Sequence, residues 1–269
     1  MLDIIIAILY GAVQGITEFL PISSSGHLVV LHEVFVLPLT DEVAFDVVLH
    51  LGSLVALLGF FYSDIIKYLR AFVRSFFDWQ VATDSSERLS WFLFIGTIPA
   101  ALAGYFFETQ IETIFRSTTI VASMLIGVGV LLYLVDRFAA KSKTIEQVTL
   151  HSALLVGVAQ ALALVPGVSR SGITIVAGLT QKLNRANAAR FSFLLSIPIV
   201  FGAGIKKVLD LSTVMIGADE LIVLVTGFVS AAIVGYLCIK YFLLFLQRHS
   251  LAVFAYYRIA LGIIILLFL

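Results

Sequence analysis

Two stretches of this chain interrupt an apolar helical run with a burst of polar residues, and they do so in one pattern. The first runs from Gly11 to His27 and carries Gln14, Glu18, Pro21, Ser23, Ser24, Ser25, Gly26 and His27; the second runs from Gly157 through Gln160 to the segment Pro166–Thr174, PGVSRSGIT. Without any gap, Gly11 aligns with Gly157, Gln14 with Gln160, Ser23 with Ser169, Ser25 with Ser171 and Gly26 with Gly172, a constant offset of 146 residues. The chain is an internal duplication. The copies differ where chemistry is at stake: the first has Glu18 and His27, the second has Arg170 where the first has Ser24.

The solvent follows from composition. With 61% hydrophobic and 13% charged residues in 269, the chain lacks the polar surface of a soluble globule, which makes it an all-α polytopic membrane protein read as one membrane domain over 1–269. Net charge is zero, and no basic patch suggests a nucleic-acid partner. The single cysteine, Cys238, lies in an apolar run and excludes an intrachain disulfide. The first residues have neither a basic region nor a small-residue cleavage site, so they read as retained.

Six apolar runs, 43–62, 90–107, 117–135, about 187–205, 221–239 and 251–269, are long enough or nearly so to cross a hydrocarbon core of ~30 Å. Two pairs, 4–16 with 28–37 and 152–165 with 173–181, are too short, because a run of 13 reaches only about 20 Å. Each pair flanks a polar break and reads as a re-entrant hairpin with its tip inside the membrane, where bare backbone is tolerated only against protein or a wet cavity. Gly11 with Gly15, and Gly157 with Ala161, are small-residue pairs suited to close packing of the hairpin arms.

Basic residues orient this layout. If the loop from Ser63 to Leu89 is cytoplasmic, twelve Lys and Arg (67, 70, 74, 88, 137, 141, 143, 182, 185, 190, 240, 248) fall on the cytoplasmic side and three (Arg116, Lys206, Lys207) outside. Both termini then lie outside, the first hairpin enters from outside and the second from inside. That predicts two inverted-topology repeats, 1–135 and 151–269, each a hairpin plus three crossings, joined by a cytoplasmic loop.

Gln14 and Glu18 are four apart and share a helix face. A carboxylate at bilayer depth costs roughly 2.5–3.5 kcal/mol even on permissive scales, so Glu18 is a functional candidate by default. Ser23, Ser24 and Ser25 before Gly26 stand at a helix start, where serine caps and free N–H groups bind anions. Ser169 and Ser171 repeat that arrangement, and the Arg170 guanidinium offers a planar fork matching phosphate oxygens. Hydroxyl nucleophile, carboxylate, imidazole and arginine are what phosphoryl transfer requires. A site at membrane depth implies a lipid-borne phosphate.

These residues resemble the signature of the undecaprenyl-pyrophosphate phosphatase family, also called the bacitracin-resistance family: Gln14-Gly-Ile-Thr-Glu18, Pro21 to His27, and Pro166 to Thr174. Ser192–Pro198 (SFLLSIP) and Thr97–Gly104 (TIPAALAG) extend the likeness along the chain. The resemblance implies removal of the terminal phosphate of undecaprenyl pyrophosphate for carrier-lipid recycling in bacterial cell-wall synthesis. It further implies the inner membrane, a required divalent cation (Mg2+ or Ca2+) and a site open to the outer side; the oligomeric state is left open, a homodimer being one option. Implied roles are metal ligand or base for Glu18, proposed nucleophile for Ser24, general acid/base or, alternatively, nucleophile for His27, and phosphate stabilisation for Arg170. Gln14, Ser23, Ser25, Gly26, Ser169, Ser171 and Thr174 would line the pyrophosphate; many members carry glutamate at the position of Gln14.

Other polar residues attract plainer expectations. Asp46 and His50 read as a structural pair, Arg258 as snorkelling to the cytoplasmic end, His32 and Glu33 as interfacial, and His151 and His249 as loop residues. The rival function is a polyprenyl-phosphate transporter or flippase on the same scaffold. An acid-phosphatase-type site is disfavoured because no His-Asp element follows Arg170.

Overall fold

The computed structural model describes residues 2–35, 37, 42–114, 117–211 and 217–268, excluding the side chains of 108–114, 207–211 and 218–219. Arg116 and the side chain of Lys207, both placed outside above, fall beyond that description. The protein is helical: α1 (Leu2–Thr17), α2 (Ser24–Val34), α3 (Glu42–Phe60), α4 (Tyr62–Arg74), α5 (Ser85–Ile114), α6 (Thr118–Phe138), α7 (Leu150–Leu162), α8 (Arg170–Thr180), α9 (Arg185–Leu211), α10 (Ala218–Leu246) and α11 (Ala252–Phe268), with a 3-10 turn at Ile145–Gln147. Among the described residues five helices are long and apolar enough to cross a membrane, and α11, at 17 residues, falls just short of 18. Their outward faces carry large apolar side chains, such as Ile233 on α10 and Ile263 on α11, as lipid contact requires. The protein is a polytopic membrane protein.

Both polar breaks separate short helices. Glu18 to Ser23 separates α1 from α2, and Ala163 to Ser169 separates α7 from α8. Each return helix follows a serine in the left-handed region, Ser23 at φ 74° and Ser169 at φ 70°. Such a conformation is uncommon without glycine and persists only where surrounding structure enforces it.

Helix directions follow from the contacts. Ser230 Oγ donates to Ile8 O at 2.8 Å and Cys238 Sγ to Ile16 O at 3.5 Å, so α1 runs parallel to α10. At the far end of α10, Leu251 N donates to Asp136 Oδ2 at 2.9 Å, and the Arg185 guanidinium reaches the same carboxylate. The mouth of the α7/α8 pair is also there, since Lys143 N donates to Lys182 O at 2.8 Å. Thus α1 points toward the end from which α7 departs. Packing partners are exchanged between the halves: α1 lies on α10 and α7 on α5, while α3 meets α9 and α6 meets α11.

Four expectations are corrected here. The loop from Ser63 to Leu89 contains α4 and the start of α5; its charged residues Asp64, Lys67, Arg70 and Arg74 alternate with apolar ones, so no continuous apolar run marks it. The small residues do not join the hairpin arms to each other. A Cβ on Gly15 would lie 2.7 Å from Gly235 N of α10, and one on Gly157 would lie 3.2 Å from the Cα of Gly96 in α5, so the small faces seat each hairpin on a spanning helix. His151 lies within α7, whereas His249 stays in a turn, its Nδ1 at 3.1 Å from Phe245 O. His32 is half-buried, because the return arm packs on α1 and its ring lies between the Tyr10 hydroxyl, 3.3 Å from Nδ1, and Asp46 Oδ1, 3.0 Å from Nε2; Glu33 is exposed.

Candidate active site

The two breaks meet at one carboxylate. Glu18 is the first residue past α1, and its Oε1 accepts from Arg170 Nη2 at 2.7 Å. Its Oε2 accepts from Ser24 Oγ at 2.9 Å and from Gln14 Nε2 at 3.3 Å. Ser24 and Arg170 are each the first residue of a return helix, and they are the positions that the 146-residue offset aligns. Equivalent points of the two copies therefore engage opposite oxygens of one acid. Side-chain exposure is 14% for both Glu18 and Arg170, so the pair is largely screened from solvent.

A cavity of about 630 Å3 opens on this pair; Glu18, Ser25, Asp46, His50, Gln160 and Arg170 supply its polar lining and residues such as Leu51, Val121, Ile199 and Val200 its apolar walls. Two cavity-lining residues carry polar atoms with no protein partner, Arg170 Nη1 and both amide atoms of Gln160, and Gln14 Oε1, on the residue whose amide nitrogen bonds Glu18, has none either. Buried polar groups are normally hydrogen-bonded, so such a concentration is what a site for a polar ligand leaves behind.

The remaining expected residues divide. Ser23 Oγ lies 3.2 Å from Ser25 Oγ and makes no cap bond, which leaves the first-turn N–H groups of α2 without that partner. Ser169 does cap α8, accepting from Gly172 N at 3.1 Å, and Ser171 donates to Leu20 O at 2.9 Å, tying one tip to the other. Thr174 is fully buried, 2.5 Å from Ser192 Oγ, away from the cavity lining. Gly26 is buried in the first turn of α2. His27 is not among the cavity-lining residues; its Nδ1 sits 2.8 Å from Ser23 O and its Nε2 2.7 Å from the Tyr257 hydroxyl, the rings stacked 8° from parallel. Because a carbonyl only accepts, Nδ1 bears the proton and Nε2 accepts from Tyr257.

Two residues depart from their plain readings. Arg258 does not snorkel: it is fully buried, donating to Pro21 O at 3.1 Å and to Gly167 O and Val168 O at 2.9 Å each, so it satisfies carbonyls of both tips at once. A lone arginine seven residues into an apolar helix is the signal that points inward. His50 and Asp46 are not a side-chain pair: Asp46 bonds His32, while His50 Nδ1 bonds Asp46 O at 2.7 Å and its Nε2 lies 3.9 Å from Glu18 Oε2.

A divalent cation can be tested against these groups. Among the described residues no group of three His, Cys, Asp or Glu side chains is arranged to hold a metal ion. Glu18 and the unpartnered Gln14 Oε1 are nonetheless hard oxygen donors, and Mg2+ commonly takes one or two protein oxygens with the rest from water and substrate phosphate. The donor set fits an ion that arrives with a phosphate.

Comparison with known proteins places these features in context. A family profile described as bacitracin resistance protein BacA matches residues 7–264. An undecaprenyl-diphosphatase of Methanosphaera stadtmanae is 44% identical over 98% of this chain and 97% of its own. Undecaprenyl-diphosphatases of Rubrobacter xylanophilus (45% identical, 98% of each chain) and Thermomicrobium roseum (46%, 97% of this chain and 96% of that one) are similarly related.

Proposed function

This chain belongs to the bacitracin resistance protein BacA family, and from that premise we propose a specific chemistry for the acid, hydroxyl and guanidinium joined at its hairpin tips. The protein is an undecaprenyl-diphosphatase, a membrane hydrolase that removes the terminal phosphate of a polyprenyl diphosphate to regenerate the carrier lipid of cell-wall synthesis. Relatives at this identity are named for a phosphatase, which favours the enzyme over the transporter.

Ser24 Oγ attacks the terminal phosphorus while its proton passes to Glu18 Oε2, the oxygen it already bonds. The new Oγ–P bond forms as the bond from phosphorus to the bridging oxygen breaks, and the polyprenyl monophosphate leaves with the electron pair. Water then cleaves the phosphoserine, releasing phosphate and restoring the hydroxyl. Arg170, with Nη1 unpartnered, turns toward the non-bridging oxygens as charge develops there. The N-terminus of α2, uncapped by Ser23, adds N–H donors. His27 carries protons through Nε2, the nitrogen not held by Ser23 O. Glu18 and Gln14 Oε1 would hold a divalent cation, which supplies charge neutralisation on the phosphoryl oxygens when bound.

The same reading puts the site on the outer side of the plasma membrane and both termini with it, in two inverted repeats. It is supported by the twelve-to-three partition of basic residues and by the opposed directions of α1 and α7. The observation that carries the chemistry is the convergence of Ser24 and Arg170 on Glu18. Phosphate release from a prenyl diphosphate by purified protein tests it. Ser24→Ala and Glu18→Ala fall to background and Arg170→Ala loses on the order of 10²–10³-fold, all with unchanged elution on size exclusion. Near-normal release from Ser24→Ala removes that serine from the nucleophile role, and full activity in a chelator removes the metal.

A further inference from the structure

Gln160 is 3% exposed, lines the same cavity as Glu18 and Arg170, and bonds through neither amide atom. Its equivalent in the first copy explains why. Gln14 Nε2 bonds Glu18, four residues on, and Ser53 Oγ at 3.4 Å. Adding 146 to those partners gives Leu164 and Ile199, both apolar and both in the cavity wall. The second copy thus keeps the glutamine and lacks both of its protein partners. A buried carboxamide with no partner is costly, and in a cavity that cost is relieved by a ligand.

We infer that the Gln160 carboxamide binds the phosphate that remains on the lipid, and so determines specificity for a prenyl phosphate head; this rests on the phosphatase reading above. A diphosphate has two phosphates, and only one can lie against Ser24, Glu18 and Arg170. The other lies nearer the apolar chain. Gln160 bonds none of those three residues, and the cavity-lining residues three and four further on, which share its helical face, are the apolar Ala163 and Leu164. Its amide supplies two N–H donors to phosphate oxygens, and its carbonyl accepts from a singly protonated phosphate or its bound water.

The test compares wild type with Gln160→Met and Gln160→Glu, full-length in detergent, using farnesyl diphosphate as substrate and farnesyl monophosphate as inhibitor. Gln160→Met raises KM about five- to tenfold, weakens inhibition by the monophosphate by the same factor, and lowers kcat by less. The free Gln160→Met protein melts no lower than wild type, because an apolar side chain replaces an unsatisfied amide. Should that variant fail to fold, Gln160→Glu keeps the shape and, by repelling phosphate, weakens monophosphate inhibition further. Unchanged inhibition in the folded variants overturns the inference, as does a lower melting point for Gln160→Met with KM unaltered, which would mark a structural role. If wild type releases no phosphate, the phosphatase reading fails instead, and thermal shift by farnesyl monophosphate still reports whether Gln160 binds it.

Discussion

Arg258 shows how one side chain can hold two broken helices at depth. The carbonyls of Pro21, Gly167 and Val168 lie at or beside helix breaks, outside the regular helical ladder, and accept from the Arg258 guanidinium instead. A guanidinium supplies five donors in a rigid plane, so a single residue serves all three. Arg258→Leu should lower stability by about 3 kcal/mol or more, seen as a lower melting temperature in detergent, together with loss of phosphate release because the tips separate. Arg258→Lys should recover only part of either, since an ammonium is a point donor. In the sequence Glu18, Ser24 and Arg170 were legible because an acid at depth and a repeated serine pattern are rare. The partners of Arg258 were not, because they are backbone carbonyls, whose positions no residue type encodes.

At the level of elements, the paired short helices on either side of each polar break were legible from length, since each apolar run ends at the polar residues. α4 was not, because its apolar and charged residues are interleaved at helical spacing. Its junction with α5 is polar: Arg74 Nε donates to the fully buried Glu87 at 2.8 Å, and Arg74 also pairs with Asp84. Asp84 caps α5, its Oδ1 accepting from Ser86 N at 2.7 Å and Glu87 N at 3.4 Å. The Ser86 N–H first, and Arg74 with it, hold the Asp84 carboxyl below its ordinary range. A group lowered on folding contributes fully above its unfolded value of about 3.9 and loses that contribution as pH falls through the folded value. The junction is thus stable at neutral pH and loosens in acid below pH ~4. Asp84→Ala should lower stability by about 1 kcal/mol at pH 7 and flatten the acid limb of a melting-temperature profile; an unchanged acid limb would show that the cap is not the titrating element.

Across the whole molecule, one buried carboxylate fastens three helix ends. Asp136, at the end of α6, accepts from Arg185 Nε at 2.6 Å at the start of α9 and from Leu251 N at 2.9 Å ahead of α11. Asp136→Ala leaves a guanidinium and a buried N–H without their partner, and a loss of about 3 kcal/mol is expected, measurable as thermal destabilisation with phosphate release retained at low temperature. Five of the six expected crossings were readable from run length, whereas this joint was not, because Asp136 and Arg185 are 49 positions apart and each alone resembles an ordinary loop-flanking charge. The convergence of positions 24 and 170 on Glu18 has a further implication. Two identical halves would present a hydroxyl twice, leaving the acid without a counter-cation, or a guanidinium twice, leaving nothing to attack phosphorus. Such a centre exists only because the copies have diverged at the point where they touch, so neither half of the polypeptide, even paired with a duplicate of itself, can assemble it.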